Sequence, residues 1–200
     1  ARDGNDYVVA TGTILGGEGN DLIVGDGDSD EIHGEDGNDL LFASSGNIFG
    51  GAGNDKILAD QNSRITGGAD DDEFFFYFGN NTRDDINTDL LIEISDFGNG
   101  DDKLVLVYDE DSHPDFVSDI TNLTSAFLSA ILSDYDGDGA IDDLVVNITT
   151  TNIISNQSYS KMIAIENLNR QLTEADLTLM TAIEFEQLAD EVQQDVIDGF

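Results

Sequence analysis

The sequence predicts a mainly β fold, a parallel β-roll followed by a β-rich cap, and three observations carry that prediction. Residues 16–24 (GGEGNDLIV), 25–33 (GDGDSDEIH), 34–42 (GEDGNDLLF), 50–58 (GGAGNDKIL) and 67–75 (GGADDDEFF) repeat a nine-residue unit whose sixth place is always Asp. Residues 1–9 (ARDGNDYVV) are the same unit begun in mid-stride. Each unit ends in a stretch long enough for one short strand, with a large apolar residue at its middle. The chain holds 21 Gly and 1 Pro, so its turns are glycine turns.

Stacking the units puts their middle residues in one inward column: Val8, Ile14, Ile23, Ile32, Leu41, Ile48, Ile57, Ile65 and Phe74. Shorter, degraded units (ATGTIL at 10–15, ASSGNIF at 43–49, ADQNSRIT at 59–66) alternate with the intact ones, and 25–33 is a partial case that has lost turn glycines. Successive half-turns of a roll lie on opposite edges, so the intact turns gather on one edge and the degraded ones on the other. On the face that follows the intact turns the outward residues are Tyr7, Val9, Leu22, Val24, Leu40, Phe42, Lys56, Leu58, Glu73 and Phe75, too apolar for water. The other face carries Thr13, Leu15, Glu31, His33, Asn47, Phe49, Arg64 and Thr66, an ordinary solvated set. The first face therefore predicts a cover, from 114–132 or from 179–197, or else a partner.

Composition narrows the function. Two hundred residues with 39% apolar content can bury a core. Seven Lys plus Arg against 43 Asp plus Glu give a net charge of −36, which repels nucleic acid and anionic membrane surfaces. No apolar run reaches the roughly 20 residues of a membrane span, and no basic-then-apolar leader opens the chain. The absence of Cys removes disulfides and thiolate metal sites. A surplus of carboxylates beside glycine turns points instead to a hard cation bound through oxygen, calcium first.

The nonapeptide resembles the RTX repeat, GGxGxDxUx with U a large aliphatic, whose fold is a right-handed parallel β-roll that binds calcium. The resemblance implies a ladder of ions on Asp6, Asp21, Asp39, Asp55 and Asp72. Gly16, Gly17, Gly19, Gly34, Asp36, Gly50, Gly51, Gly53, Gly67 and Gly68 complete it in the turns. Sites shared between adjacent turns make about four ions. Asp28 and Asp30 are a weaker candidate pair on the opposite edge. On this reading residues 1–78 are the roll and 79–200 a capping and secretion-signal region.

The cap resembles the closing segment DxIxDFxxGxDxIxL of RTX exoproteins through Ile92, Ile94, Asp96, Phe97, Gly100, Asp102, Leu104 and Leu106; a β-hairpin is the plainer reading of the same stretch and is compatible with that resemblance. Phe116, Ile120, Leu123, Phe127 and Ile131 predict a helix after Pro114. Asp134, Asp136 and Asp138 with Gly139 then repeat the opening of an EF-hand loop, with the Ala140 carbonyl and Asp142 at the seventh and ninth places and Asp143 in reserve; Val145 stands where a bidentate Glu belongs. Strands follow at 144–149 and 162–168, Thr173 and Asp176 suit a helix start, and a second helix carries Phe185, Leu188, Val192 and Val196.

Neither His33 nor His113 sits in a catalytic motif, so no enzyme is predicted. The resemblance implies the C-terminal module of a larger protein exported by a type I secretion apparatus, folding outside the bacterial cell where calcium is abundant. Its partners are calcium, that apparatus and upstream domains. An adhesion or surface-layer module is the alternative. A carbohydrate-binding accessory is disfavoured by the absence of Trp.

Overall fold

The computed structural model describes residues 3–27, 30–59, 62–78, 90–108, 130, 132–152, 157–168, 170–181, 183–188 and 190. Up to residue 108 successive described strands alternate between two sheets. The first sheet holds β1 (Tyr7–Ala10), β3 (Leu22–Gly25), β5 (Leu40–Ala43), β7 (Lys56–Ala59), β9 (Glu73–Phe78), β11 (Lys103–Tyr108) and β15 (Leu177–Thr181), in that order and parallel throughout.

The second holds β2 (Thr13–Glu18), β4 (Asp30–Asp36), β6 (Gly46–Ala52), β8 (Ser63–Ala69), β10 (Leu90–Ile94) and β14 (Gln157–Ile165), again parallel. It ends with β13 (Asp143–Asn152) and β12 (Leu132–Ser133), both paired antiparallel. This is the arrangement of a β-roll.

The sequence periodicity explains the register. Ile14 lies beside Ile32, Ile32 beside Ile48 and Ile48 beside Ile65, while Ile23, Leu41, Ile57 and Phe74 line up in the facing sheet. A slip of one residue would turn each of these outward, so burial itself fixes the pairing. All eight are at most 4% exposed, and Val8, at the open end, is partly buried against them. The same core continues through Ile92, Ile94, Leu104, Leu106, Ile163 and Ile165.

The stretch 90–107 is not a hairpin. Its two strands pair with β8 and β9 rather than with each other, so it is another coil of the roll, and both sheets run on past residue 78. A glycine-rich turn has the same local signature in both arrangements. The apolar interior on both sides selects the crossing.

The outer face of the first sheet is covered in its middle. Phe75, Val105 and Val107 are buried there with Leu58, Met180, Phe185 and Leu188 packed against them, and the Phe185 ring lies 5.5 Å from Phe75 and 6.1 Å from Phe42. Phe185 and Leu188 belong to the helical residues 183–188, whereas 177–181, predicted in part as helix, is the strand β15. Residues 174–176 form a 3-10 turn in which Asp176 accepts the N–H and hydroxyl of Thr173 and pairs with Arg170. The helix predicted after Pro114, and Val192 and Val196, lie outside the described residues.

Ile57 is fully buried between Leu41 and Phe74. Ile57→Ala is expected to cost about 2 to 5 kcal/mol in chemical unfolding of the loaded chain, against less than about 0.5 kcal/mol for Val9→Ala on the exposed rim.

Candidate metal centre

Four six-residue turns stand in register on one edge: 16–21 joins β2 to β3, 34–39 joins β4 to β5, 50–55 joins β6 to β7, and 67–72 joins β8 to β9. Backbone bonds from Gly19 N–H to the Asp36 carbonyl (2.8 Å), Gly37 to Ala52 (2.8 Å) and Gly53 to Ala69 (3.2 Å) hold them together. This stacking requires glycine at Gly37, whose φ is +137° and whose α-carbon sits against the Gly19 carbonyl, leaving no room for a side chain. Asp70 fills the corresponding place of the fourth turn at a φ of +79°, a left-handed conformation that costs a non-glycine residue roughly 1 kcal/mol.

Two side-chain ladders run along this edge in opposite directions. In one, Oδ1 of each sixth-place Asp accepts the N–H of the Asp one turn earlier: Asp21 from Asp6 (2.8 Å), Asp39 from Asp21 (2.7 Å), Asp55 from Asp39 (2.8 Å) and Asp72 from Asp55 (2.9 Å). In the other, the fifth-place oxygen accepts the N–H of the turn after it, from Asn5 to Asn20, Asn38, Asn54 and Asp71 at 2.8 to 3.2 Å. Sequence reasoning took only the first ladder. The second shows in the sequence only as an Asn recurring before the Asp.

The remaining oxygens give the site its chemistry. Oδ2 of Asp21, Asp39, Asp55 and Asp72 is buried and has no hydrogen-bond donor among the described residues. Each faces the first glycine of its own turn so closely that a Cβ on Gly16, Gly34, Gly50 or Gly67 would collide with it. At the first three of these glycines the carbonyl oxygen of Gly34, Gly50 or Gly67, one turn on, crowds into the same space. Carboxylate and carbonyl oxygens converging without a donor suit a hard cation and nothing softer. Ligands drawn from two turns would let such an ion join them.

Burial is the main reason that Asp39 is pushed up to about 7, Asp55 to about 8 and Asp72 to about 7, with Asp21 shifted the same way. The N–H each accepts opposes the shift, and the carboxylates of neighbouring turns add to it.

Other expected residues fall into place differently. Asp6 heads the ladder as amide donor, and Asp36 contributes its carbonyl to turn stacking. Gly17, Gly51 and Gly68 occupy the second place of their turns at φ of +125°, +126° and +115°. On the opposite edge Asp30 accepts Gly12 N–H (2.6 Å) on Oδ1 and Gly27 N–H (2.9 Å) on Oδ2, so backbone donors satisfy it where a cation was considered. Asp28 lies outside the described residues.

Between β12 and β13 the carboxylates of Asp134, Asp136 and Asp138 come within 4.8 Å of one another, all exposed. Gly139 turns the loop at a φ of +95°, and Ala140 N–H donates to Asp138 (2.7 Å). Oδ1 of half-buried Asp142 has no donor among the described residues. Asp143 does not complete the shell. Its Oδ2 accepts the N–H groups of Tyr135 (2.7 Å) and Asp136 (3.0 Å) and its Oδ1 that of Asn167 (2.9 Å), fixing the loop's backbone.

The raised ladder carboxyls fix the pH response of the metal-free roll. Protonation favours the fold, so their contribution is complete below the ordinary 3.8 and is lost as pH rises through about 7 to 8. Acidifying the chelated chain from pH 8 to about 5 is therefore expected to increase β structure in far-UV circular dichroism, and an unchanged spectrum would contradict the shift.

Comparison with known families matches residues 15–47, 47–62 and 59–82 to the RTX calcium-binding nonapeptide repeat, in four copies. No curated protein and no solved structure matched the chain. The match covers all four six-residue turns and every donor-less ladder oxygen. Residues 15–82 are RTX calcium-binding nonapeptide repeats.

Proposed function

We propose that the chain is a calcium-dependent folding module, the C-terminal region of a larger protein exported by a type I apparatus, which stays open in a calcium-poor cytosol and folds outside the cell. The observation that carries this reading is the set of four buried ladder oxygens without donors among the described residues. Leaving such groups uncompensated costs several kcal/mol each, so the apo chain has reason to remain unfolded. Its net charge of −36 adds self-repulsion. Calcium would supply the missing positive charge, and its binding free energy would become folding free energy. The role is one of binding and folding rather than catalysis.

The loop at Asp134, Asp136, Asp138, the Ala140 carbonyl and Asp142 supports a further calcium site, apart from about four in the ladder. An adhesion or surface-layer role is favoured by one feature alone: Tyr7 and Val9, 46% and 54% exposed, extend the apolar outer face beyond its cover.

Titrating the chelated chain with calcium to ~10 mM, with magnesium as control, tests the main reading, since extracellular modules bind near 10⁻⁴ to 10⁻³ M. A cooperative, calcium-selective gain of β structure with a falling hydrodynamic radius is expected; a compact β-rich chain in chelator would overturn it. Replacing Asp136 and Asp138 together by Asn is expected to remove one bound ion in native mass spectrometry while the ladder ions remain. An unchanged count would remove the loop from the calcium sites.

A further inference from the structure

The turn at 96–102 departs from the four before it. Thr66 lies beside Ser95, whose hydroxyl is 2.7 Å from its own, and Glu73 pairs with Lys103, so the six residues 67–72 are followed by a turn of seven, 96–102. The first place, glycine in the earlier turns, is Asp96. Its two oxygens accept the N–H groups of Gly67 and Gly68, both at 2.9 Å.

Asp102 holds the position of the next rung and is buried like the others. Its Oδ1 accepts Asp72 N–H at 3.0 Å, as the ladder requires. Its Oδ2 differs from those of Asp21, Asp39, Asp55 and Asp72, because it accepts Gly98 N–H at 2.7 Å. Beside it the Asn99 side-chain amide donates to the Gly68 carbonyl. The added residue lets the chain fold back on itself here, with Gly98 at a φ of +94°.

We infer that residues 96–102 are a protein-made end to the cation ladder: the Gly98 N–H holds the Asp102 oxygen that a calcium ion would otherwise hold, while the Asn99 amide ties the turn to the Gly68 carbonyl, making Asp102 a rung without an ion. The inference rests on the reading of the preceding carboxylates as calcium ligands. An ion shared between turns needs oxygens from both. Next along this edge lies the link between β14 and β15 rather than another nonapeptide turn, and a bare carboxylate at Asp102 would be buried without compensation. A hydrogen-bond donor from within the turn resolves both difficulties.

Anomalous diffraction at a wavelength sensitive to calcium, from crystals of the loaded chain, tests this without altering a residue. Signals are expected within about 2.6 Å of Oδ2 of Asp21, Asp39, Asp55 and Asp72, and none beside Oδ2 of Asp102. In solution, native mass spectrometry should find fewer ions on Asp55→Asn and the full number on Asn99→Ala, an exposed change that leaves the core intact. An ion beside Asp102, or one lost in Asn99→Ala, would overturn the inference. Absence of signal at all five carboxylates would overturn the calcium reading beneath it, which is a different result.

Discussion

Each of Asp21, Asp39, Asp55 and Asp72 takes a carboxylate into the interior of the turn stack with a donor for one oxygen and, among the described residues, none for the other. Much of the turn edge follows from that asymmetry. Oδ1 ties each turn to the one before it, so the spacing of turns is set by a side chain as well as by the sheet. Oδ2 needs a positive partner, and the glycine at the head of each turn keeps the space beside it free of a side chain. Neutralising that charge, by protons at low pH or by a cation at neutral pH, stabilises such a stack.

The two edges of the roll solve the same problem in different ways. On the opposite edge Asp30 receives a backbone N–H on each oxygen and needs no ion. Asp102 is treated alike at the end of the ladder. The proposed need for a cation therefore falls, among the described residues of the roll, on the turns that deny Oδ2 a donor. The hydrophobic column beneath them contributes stability of its own, which the charged edge opposes until it is neutralised.

The inward column and the sixth-place aspartates were legible in the sequence because a strict period leaves few ways to stack it, and Ile14 through Phe74 are buried as the period requires. The fifth-place ladder was not, since Asn20 and Asn38 serve a turn in any context and only neighbouring coils reveal what their oxygens accept. The crossing at 90–107 was ambiguous for a similar reason: pairing with β8 and β9 is a long-range event that the local pattern does not encode. Asp142 and Asp143 are adjacent acids in opposite surroundings. Only the position of the Tyr135, Asp136 and Asn167 amides separates them.

The most direct measurement of the central claim is amide hydrogen exchange at Asp21, Asp39 and Asp55, whose N–H groups bond to the carboxylate of the following rung. Strong protection in calcium and near-random-coil exchange in chelator at neutral pH is the result the account predicts. Equal protection in both would mean that the buried carboxylates are tolerated without a cation, and would contradict it.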